Sequence, residues 1–177
     1  MHLNPYGEDA VRLALSLVAD PPSSASALAA RCVSAEVAIE RPATASDLSA
    51  ISAYLDDWLA VVDAPSAGAR AERLNALLCD TAAYPRLTDH AGSGWHIHYR
   101  EPDQSLSSLL ATLISVGTAL HLSGRGMHRL GRCAAADCGQ PFADFSRTGI
   151  QKYCSHACGN RDAVRRHRAR AETVKMP

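Results

Sequence analysis

Four of the six cysteines crowd into one short window as two tight pairs, Cys133 with Cys138 and Cys154 with Cys158. The spacing is C-x4-C, fifteen residues, then C-x3-C. Structural zinc takes four ligands tetrahedrally, with Zn–S bonds of about 2.3 Å. A pair in a turn can aim two sulfurs at one ion, and a pair four apart on a helix shares one face. The spacing therefore predicts a single zinc ion held by Cys133, Cys138, Cys154 and Cys158. Two disulfides would need an oxidising compartment, and an iron–sulfur cluster is the remaining metal alternative. His156 and His167 lie close by but are surplus to a complete tetrahedron.

The segments around the pairs suggest how they are presented. Residues 134–139 are small and turn-forming, Gln140–Phe145 reads as a short strand, and Ser146–Gly149 as a turn. Ile150–Tyr153 can return as a second strand, and Ser155–Ala171 lacks proline and reads as a helix. Knuckle, hairpin and helix in that order is a treble-clef arrangement. Cys158-Gly159-Asn160-Arg161 spells the signature of the CGNR zinc fingers. Arg132-Cys133, Asp137-Cys138, Phe142, Asp144, Ser146-Arg147, Tyr153-Cys154-Ser155 and Arg165-Arg166-His167-Arg168 also resemble that family. The resemblance spans about Leu130 to Arg170. It implies a helical N-terminal part of the ABATE type, described as a stress-induced transcription regulator, which residues 1–125 resemble in order and composition.

Composition sets the wider frame. Alanine and leucine dominate a chain that is 47% hydrophobic and only 5% aromatic, which favours helices. No uninterrupted apolar run approaches the 18 or so residues of a membrane span. No basic-then-apolar leader opens the sequence, so a cytoplasmic protein with reduced thiols is expected, away from the membrane. The net charge of zero hides a division. Residues 1–131 carry nine Lys/Arg and fourteen Asp/Glu, a net of −5; residues 132–177 carry nine and four, a net of +5. An acidic body with a basic tail suits a regulatory part joined to a nucleic-acid-contacting one.

Along the chain, Asn4-Pro5 marks a turn, and helices are predicted over Gly7–Asp20, Ser23–Ile39, Thr44–Val62 and Ala67–Thr81. Cys32 and Cys79 read as core positions. Arg86–His90 and Trp95–Tyr99 flank a glycine turn and read as a hairpin whose Trp95, Ile97 and Tyr99 face should pack on the helices. Ser105 to about Leu122 is the most apolar helix and belongs at the centre, with Leu109, Leu113, Ile114 and Leu120 as core. Ser123–Gly126 reads as a hinge, and Met127–Arg132 as a strand entering the knuckle. The fold class expected is mainly α: a helical bundle with one β-hairpin over residues 1–125, and a treble-clef-like finger with a basic helix over residues 126–177.

The functional surface predicted is that basic helix. Arg161, Arg165 and Arg168 form one stripe, which Lys175 could extend; Arg166 and Arg170 form a neighbouring one, and Arg147 and Lys152 could extend the patch from the hairpin. Arginine's planar fork suits phosphate. Arg161 could instead hold Asp144 or a helix end, and Arg168 could pair with Glu172. DNA is the expected partner, with RNA binding or a pure protein-interaction role as alternatives. A homodimer would double the contacts; no small-molecule effector can be named. His90, His96 and His98 could share a second ion but read more simply as a polar hairpin face. No phosphate loop or nucleophile elbow appears, so no enzyme is expected.

Overall fold

The computed structural model describes residues 7–89 and 94–174, with side chains as far as residue 170; the Asn4-Pro5 turn, His90 and Lys175 lie outside the described residues. The chain is mainly helical. Five helices, α1 (Glu8–Ala19), α2 (Ala25–Ser34), α3 (Ala45–Val62), α4 (Ala67–Thr81) and α5 (Leu106–Arg125), surround one core. A hairpin of β1 (Arg86–Thr88) and β2 (His96–His98) interrupts them, and β3 (Leu130–Arg132), β4 (Pro141–Ala143) and α6 (His156–Val174) follow.

Helix α5 is the centre because most of its surface is buried by its neighbours. Leu109, Leu110 and Ile114 are buried, and so are its small and polar residues Ala111, Thr112, Ser115, Gly117 and Thr118. The polar groups among them find partners: Trp58 Nε1 donates to Thr118 Oγ1 (2.9 Å), Thr112 Oγ1 to Thr81 O (2.6 Å), and Tyr54 Oη meets Ser115 Oγ (2.8 Å). By length and mean hydropathy α5 could cross a membrane, but 67% of that stretch is already buried within the protein. Leu113 and Leu120, expected in the core, are only half-buried, since they lie at the edge of the packed face. Gly7, at φ +62°, lets α1 begin against α5; a Cβ there would sit 2.0 Å from Gly117 O.

Local chemistry sets the helix ends. Helix α2 stops at Ser34, short of the predicted Ile39. Glu36 takes φ +56°, its N–H bonds Val33 O and the Val37 N–H bonds Cys32 O (both 2.9 Å), which is a Schellman ending without glycine. Val37 is buried while Val33 is 65% exposed. Cys32 is fully buried, its thiol pushed up to about 11 by burial. Cys79, expected in the core, is exposed, because α4 turns Leu74 and Leu77 inward instead. Helix α5 runs on through the expected hinge to Arg125, with Gly126 as its cap. Met127–Arg129 then forms a 3-10 turn, and the predicted strand starts only at Leu130.

The first hairpin is present but inverted. Leu87 opposes Ile97, and that face points to solvent: Leu87 is 71%, Trp95 75% and Ile97 48% exposed. The helices do not cover it. The half-buried face carries Arg86, Thr88, His96 and His98. Polar contacts hold it there: Arg86 donates to Arg100 O (2.6 Å) and pairs with Glu101 (3.1 Å), while Arg100 pairs with Glu40.

Asp47 ties the starts of two helices together. One carboxylate oxygen accepts from Thr44 N and Oγ1 (2.9 and 2.7 Å), closing the capping box of α3; the other accepts from Ser107 N and Oγ (2.9 and 3.0 Å) at the start of α5. Burial raises its pKa, but these hydrogen bonds outweigh burial and hold it at about 2, below the ordinary 3.8. A depressed carboxyl stabilises the fold above its unfolded pKa and loses that contribution as pH falls from about 4 towards 2, worth about 2 kcal/mol. Asp47→Asn should cost about 1–2 kcal/mol at pH 7 and flatten the stability loss over that window. Denaturant titrations at pH 7 and pH 3 check this; an unchanged acid loss in the variant would refute it.

Candidate metal centre

The finger is built around a turn and a helix start. Strands β3 and β4 pair antiparallel, Leu130 with Ala143 and Arg132 with Pro141, and the turn between them carries Cys133 and Cys138. Cys133 N–H bonds Gln140 O (2.9 Å) and Cys138 N–H bonds Ala135 O (3.0 Å), closing the knuckle. Cys154 lies just before α6 and Cys158 in its first turn. Ser155 caps that turn, its Oγ accepting from Cys158 N (3.2 Å).

The four sulfurs lie within 4.8 Å of one another, and Cys154 Sγ is 3.6 Å from both Cys138 Sγ and Cys158 Sγ. Thiolates at 2.3 Å around a tetrahedral ion stand about 3.8 Å apart, so the cluster fits one structural zinc ion. All six cysteines are free thiols. Burial and the neighbouring thiols push Cys154 up to about 12, whereas the Ser155 hydroxyl leads the effects that lower Cys158 to about 7. A divalent ion would supply the charge that lets all four ionise together. Four thiolates leave no open position, so the centre has the closed form of a structural site. Cys32 and Cys79 lie outside the group, and His156 and His167 are exposed.

The second strand predicted at Ile150–Tyr153 does not form. Asp144 claims that segment: its carboxylate accepts from Ser146 N (2.8 Å) and Gln151 N (2.9 Å) and lies 3.5 Å from Arg129 Nη1. The segment instead crosses the knuckle, where Ala134 N–H bonds Lys152 O (2.8 Å). Although burial raises the Asp144 carboxyl, these partners hold it below the usual range. Arg129 is itself buried and donates to Arg125 O (3.1 Å) and Ser146 O (2.5 Å). Gly149, at φ +71°, passes so close that a Cβ would sit 2.6 Å from that guanidinium.

The same region joins finger to bundle. Leu130 and Ala143 belong to the helical core cluster. Arg70, buried, donates to Val61 O and Val62 O at the end of α3 and to Met127 O. Arg132 forks onto both Asp63 oxygens (2.7 Å each). Phe145 packs on His121, ring centres 5.0 Å apart, and under the Arg12 guanidinium at 3.9 Å.

The basic residues fall into two groups. Arg161 pairs with Asp137 (3.1 Å), and not with Asp144, which Arg129 has taken. Arg165 and Arg166 both pair with Asp162, which also accepts from Tyr153 Oη (2.7 Å). Arg147, Lys152, Arg168 and Arg170 are exposed and have no partner among the described residues. The Glu172 side chain lies outside the described residues. Among residues that sequence reasoning missed, Asp162 was legible, since it stands three and four positions before Arg165 and Arg166. Arg70 and Arg129 left no local signal. His96 Nε2 lies 3.0 Å from His98 Nε2, with no third ligand grouped with them among the described residues.

Cysteine geometry, knuckle and helix together define a four-cysteine zinc finger. Residues 129–171 match the CGNR zinc finger family. Residues 1–128 lie outside that match. No curated protein matches the chain.

Two outcomes follow. Cys154→Ser should abolish zinc retention and unfold the finger, while the helical signal of the bundle persists; metal analysis showing one zinc per chain in that variant would overturn the assignment. Arg129→Gln should leave Asp144 buried without its cation and cost about 3–5 kcal/mol. Thermal unfolding would measure this, and a loss under 1 kcal/mol would show the pair to be dispensable.

Proposed function

We propose that the chain is a DNA-binding transcription regulator, non-enzymatic, cytoplasmic and responsive to stress, in which the zinc site fixes the start of a nucleic-acid-contacting helix. The observation that carries this reading is the separation of charge. The last quarter of the chain, residues 132–177, holds a net +5 against −5 in the rest, and α6 carries five of its arginines in an exposed row. Supporting it is the arrangement of partners on α6. Arg165 and Arg166 are more than half exposed and share one carboxylate. Asp162 is buried and also held by Tyr153, while both guanidinium groups reach out from it into solvent, where a phosphate could meet them. Among the described residues Arg168 and Arg170 have no partner to give up, and Arg147 and Lys152 add exposed cations from the segment before the helix.

Asn160 stands exposed on the side of α6 shared with Val164 and Arg168, at i, i+4 and i+8, away from the sulfur of Cys158. An asparagine, an apolar side chain and an arginine are the types that contact adenine edges, thymine methyls and guanine edges. The helical body would then house the stress-responsive part, as its ABATE-like order suggests. A dimer would set two such helices on two half-sites.

The deciding measurement is a titration against duplex DNA at several salt concentrations. Each phosphate contact contributes about 0.9 to the slope of log K against log salt. The Arg168→Glu, Arg170→Glu double variant should reduce the slope by about 2 and weaken binding without releasing zinc. Equal binding by wild type and variant, or no binding to DNA at low salt, would sink the reading. Tighter binding to single-stranded RNA in the same assay would move the assignment to RNA.

A further inference from the structure

We propose that Arg161 is a positioning residue of the metal centre, a guanidinium that bridges the two halves of the finger and shields the thiolates, and that retention of zinc is what it sets. Its place is dictated by the helix. Three residues after Cys158 it lies one turn on, over the same face. Its Nη2 donates to Cys158 Sγ at 3.2 Å, and its Nε donates to Asp137 Oδ2 at 3.1 Å. Asp137 immediately precedes Cys138 in the knuckle. One planar group therefore touches the first cysteine pair through Asp137 and the second through sulfur.

Charge explains why a cation belongs there. Four thiolates around a divalent ion carry a net charge of −2, and among the described residues Arg161 is the only side-chain cation donating to a cluster sulfur. The backbone supplies one further donor, Cys154 N–H to Cys133 Sγ at 3.4 Å. Zinc leaves such a site when a ligating sulfur swings away from it. An N–H held against Cys158 Sγ opposes that step, because it fixes the sulfur in place and occupies the approach to it. The Asp137 pair is 51% and 64% exposed at its two side chains, and a pair so exposed adds little stability by itself. Its effect is to orient the guanidinium. Lysine cannot replace this arrangement, since a single ammonium lacks the fork that reaches carboxylate and sulfur together. On this assignment Arg161 is withdrawn from the phosphate-contacting set, which leaves Arg165, Arg166, Arg168 and Arg170 on α6.

The test uses the full chain loaded with zinc and challenged with a chromophoric chelator in excess. Outer-shell partners of metal ligands typically alter affinity by about 10–100-fold. Arg161→Gln should release zinc faster by that factor, and Asp137→Asn should accelerate release in the same direction but less. Arg161→Lys should fall between wild type and Arg161→Gln. Arg165→Gln, one turn further along α6, should keep the wild-type rate. In cobalt-loaded protein the sulfur-to-metal charge-transfer band should shift in Arg161→Gln and stay in place in Arg165→Gln, a change that general loosening of the helix would not produce. Should Arg161→Gln fail to load metal, Arg161→Lys and Asp137→Asn carry the test. Release by the Arg161 and Asp137 variants at the wild-type rate, or no faster than by Arg165→Gln, overturns the proposal. So does an Arg161→Gln protein that keeps its zinc and loses one contact's worth of salt slope on DNA.

Discussion

Burial of most of α5 is the constraint on which the rest of the molecule depends. A helix that must accept α1, α3 and α4 at once cannot be lined only with large side chains. Gly117 and Ala111 give close approach, and Thr112, Ser115 and Thr118 spend their hydroxyls on Thr81, Tyr54 and Trp58. Those hydrogen bonds register α3 and α4 against α5 as well as satisfying buried groups. Asp47 performs the same service at the other end, where one carboxylate holds the first turns of α3 and α5 together.

The finger inherits its position from this arrangement. Its own buried cluster is small, Cys133, Ala135 and Cys158 with Tyr153 and two further cysteines beside them. So little apolar burial cannot fold a segment of this size, and metal binding is the natural source of the missing free energy. Two further anchors act independently of the metal. Leu130 and Ala143 enter the helical core, and Arg70, Arg129 and Arg132 reach across the junction to carbonyls and carboxylates. The continuation of α5 through Arg125 makes the junction a packed seam.

Charge on α6 is less uniform than its composition. Arginines that read alike along the chain divide in space, because Asp137 and Asp162 stand where they can claim three of them. Acidic residues inside a basic segment thus decide which cations are paired within the finger. The exposed Leu87, Trp95 and Ile97 face of the first hairpin makes the complementary point. Alternation correctly put these side chains on one face, but it carried no information about which face the helices would meet.

What the sequence determined by itself was whatever depends on neighbours a few positions apart. The paired spacing of Cys133, Cys138, Cys154 and Cys158 named the metal ligands, since a turn and a helix start bring such pairs together locally. The apolar period of α1, α3, α4 and α5 announced the helices for the same reason. Only the tertiary structure decided what depends on distant partners. Asp144 takes Arg129 and Gln151, and so removes the expected strand at Ile150–Tyr153. Glu36 ends α2 because Val37 finds a buried place five residues after Cys32. Leu113 and Leu120 lose full burial because neighbours close over the other side of α5. Long-range choices of this kind turn on which groups become desolvated together, and desolvation is a property of the assembled core that no short window of sequence contains.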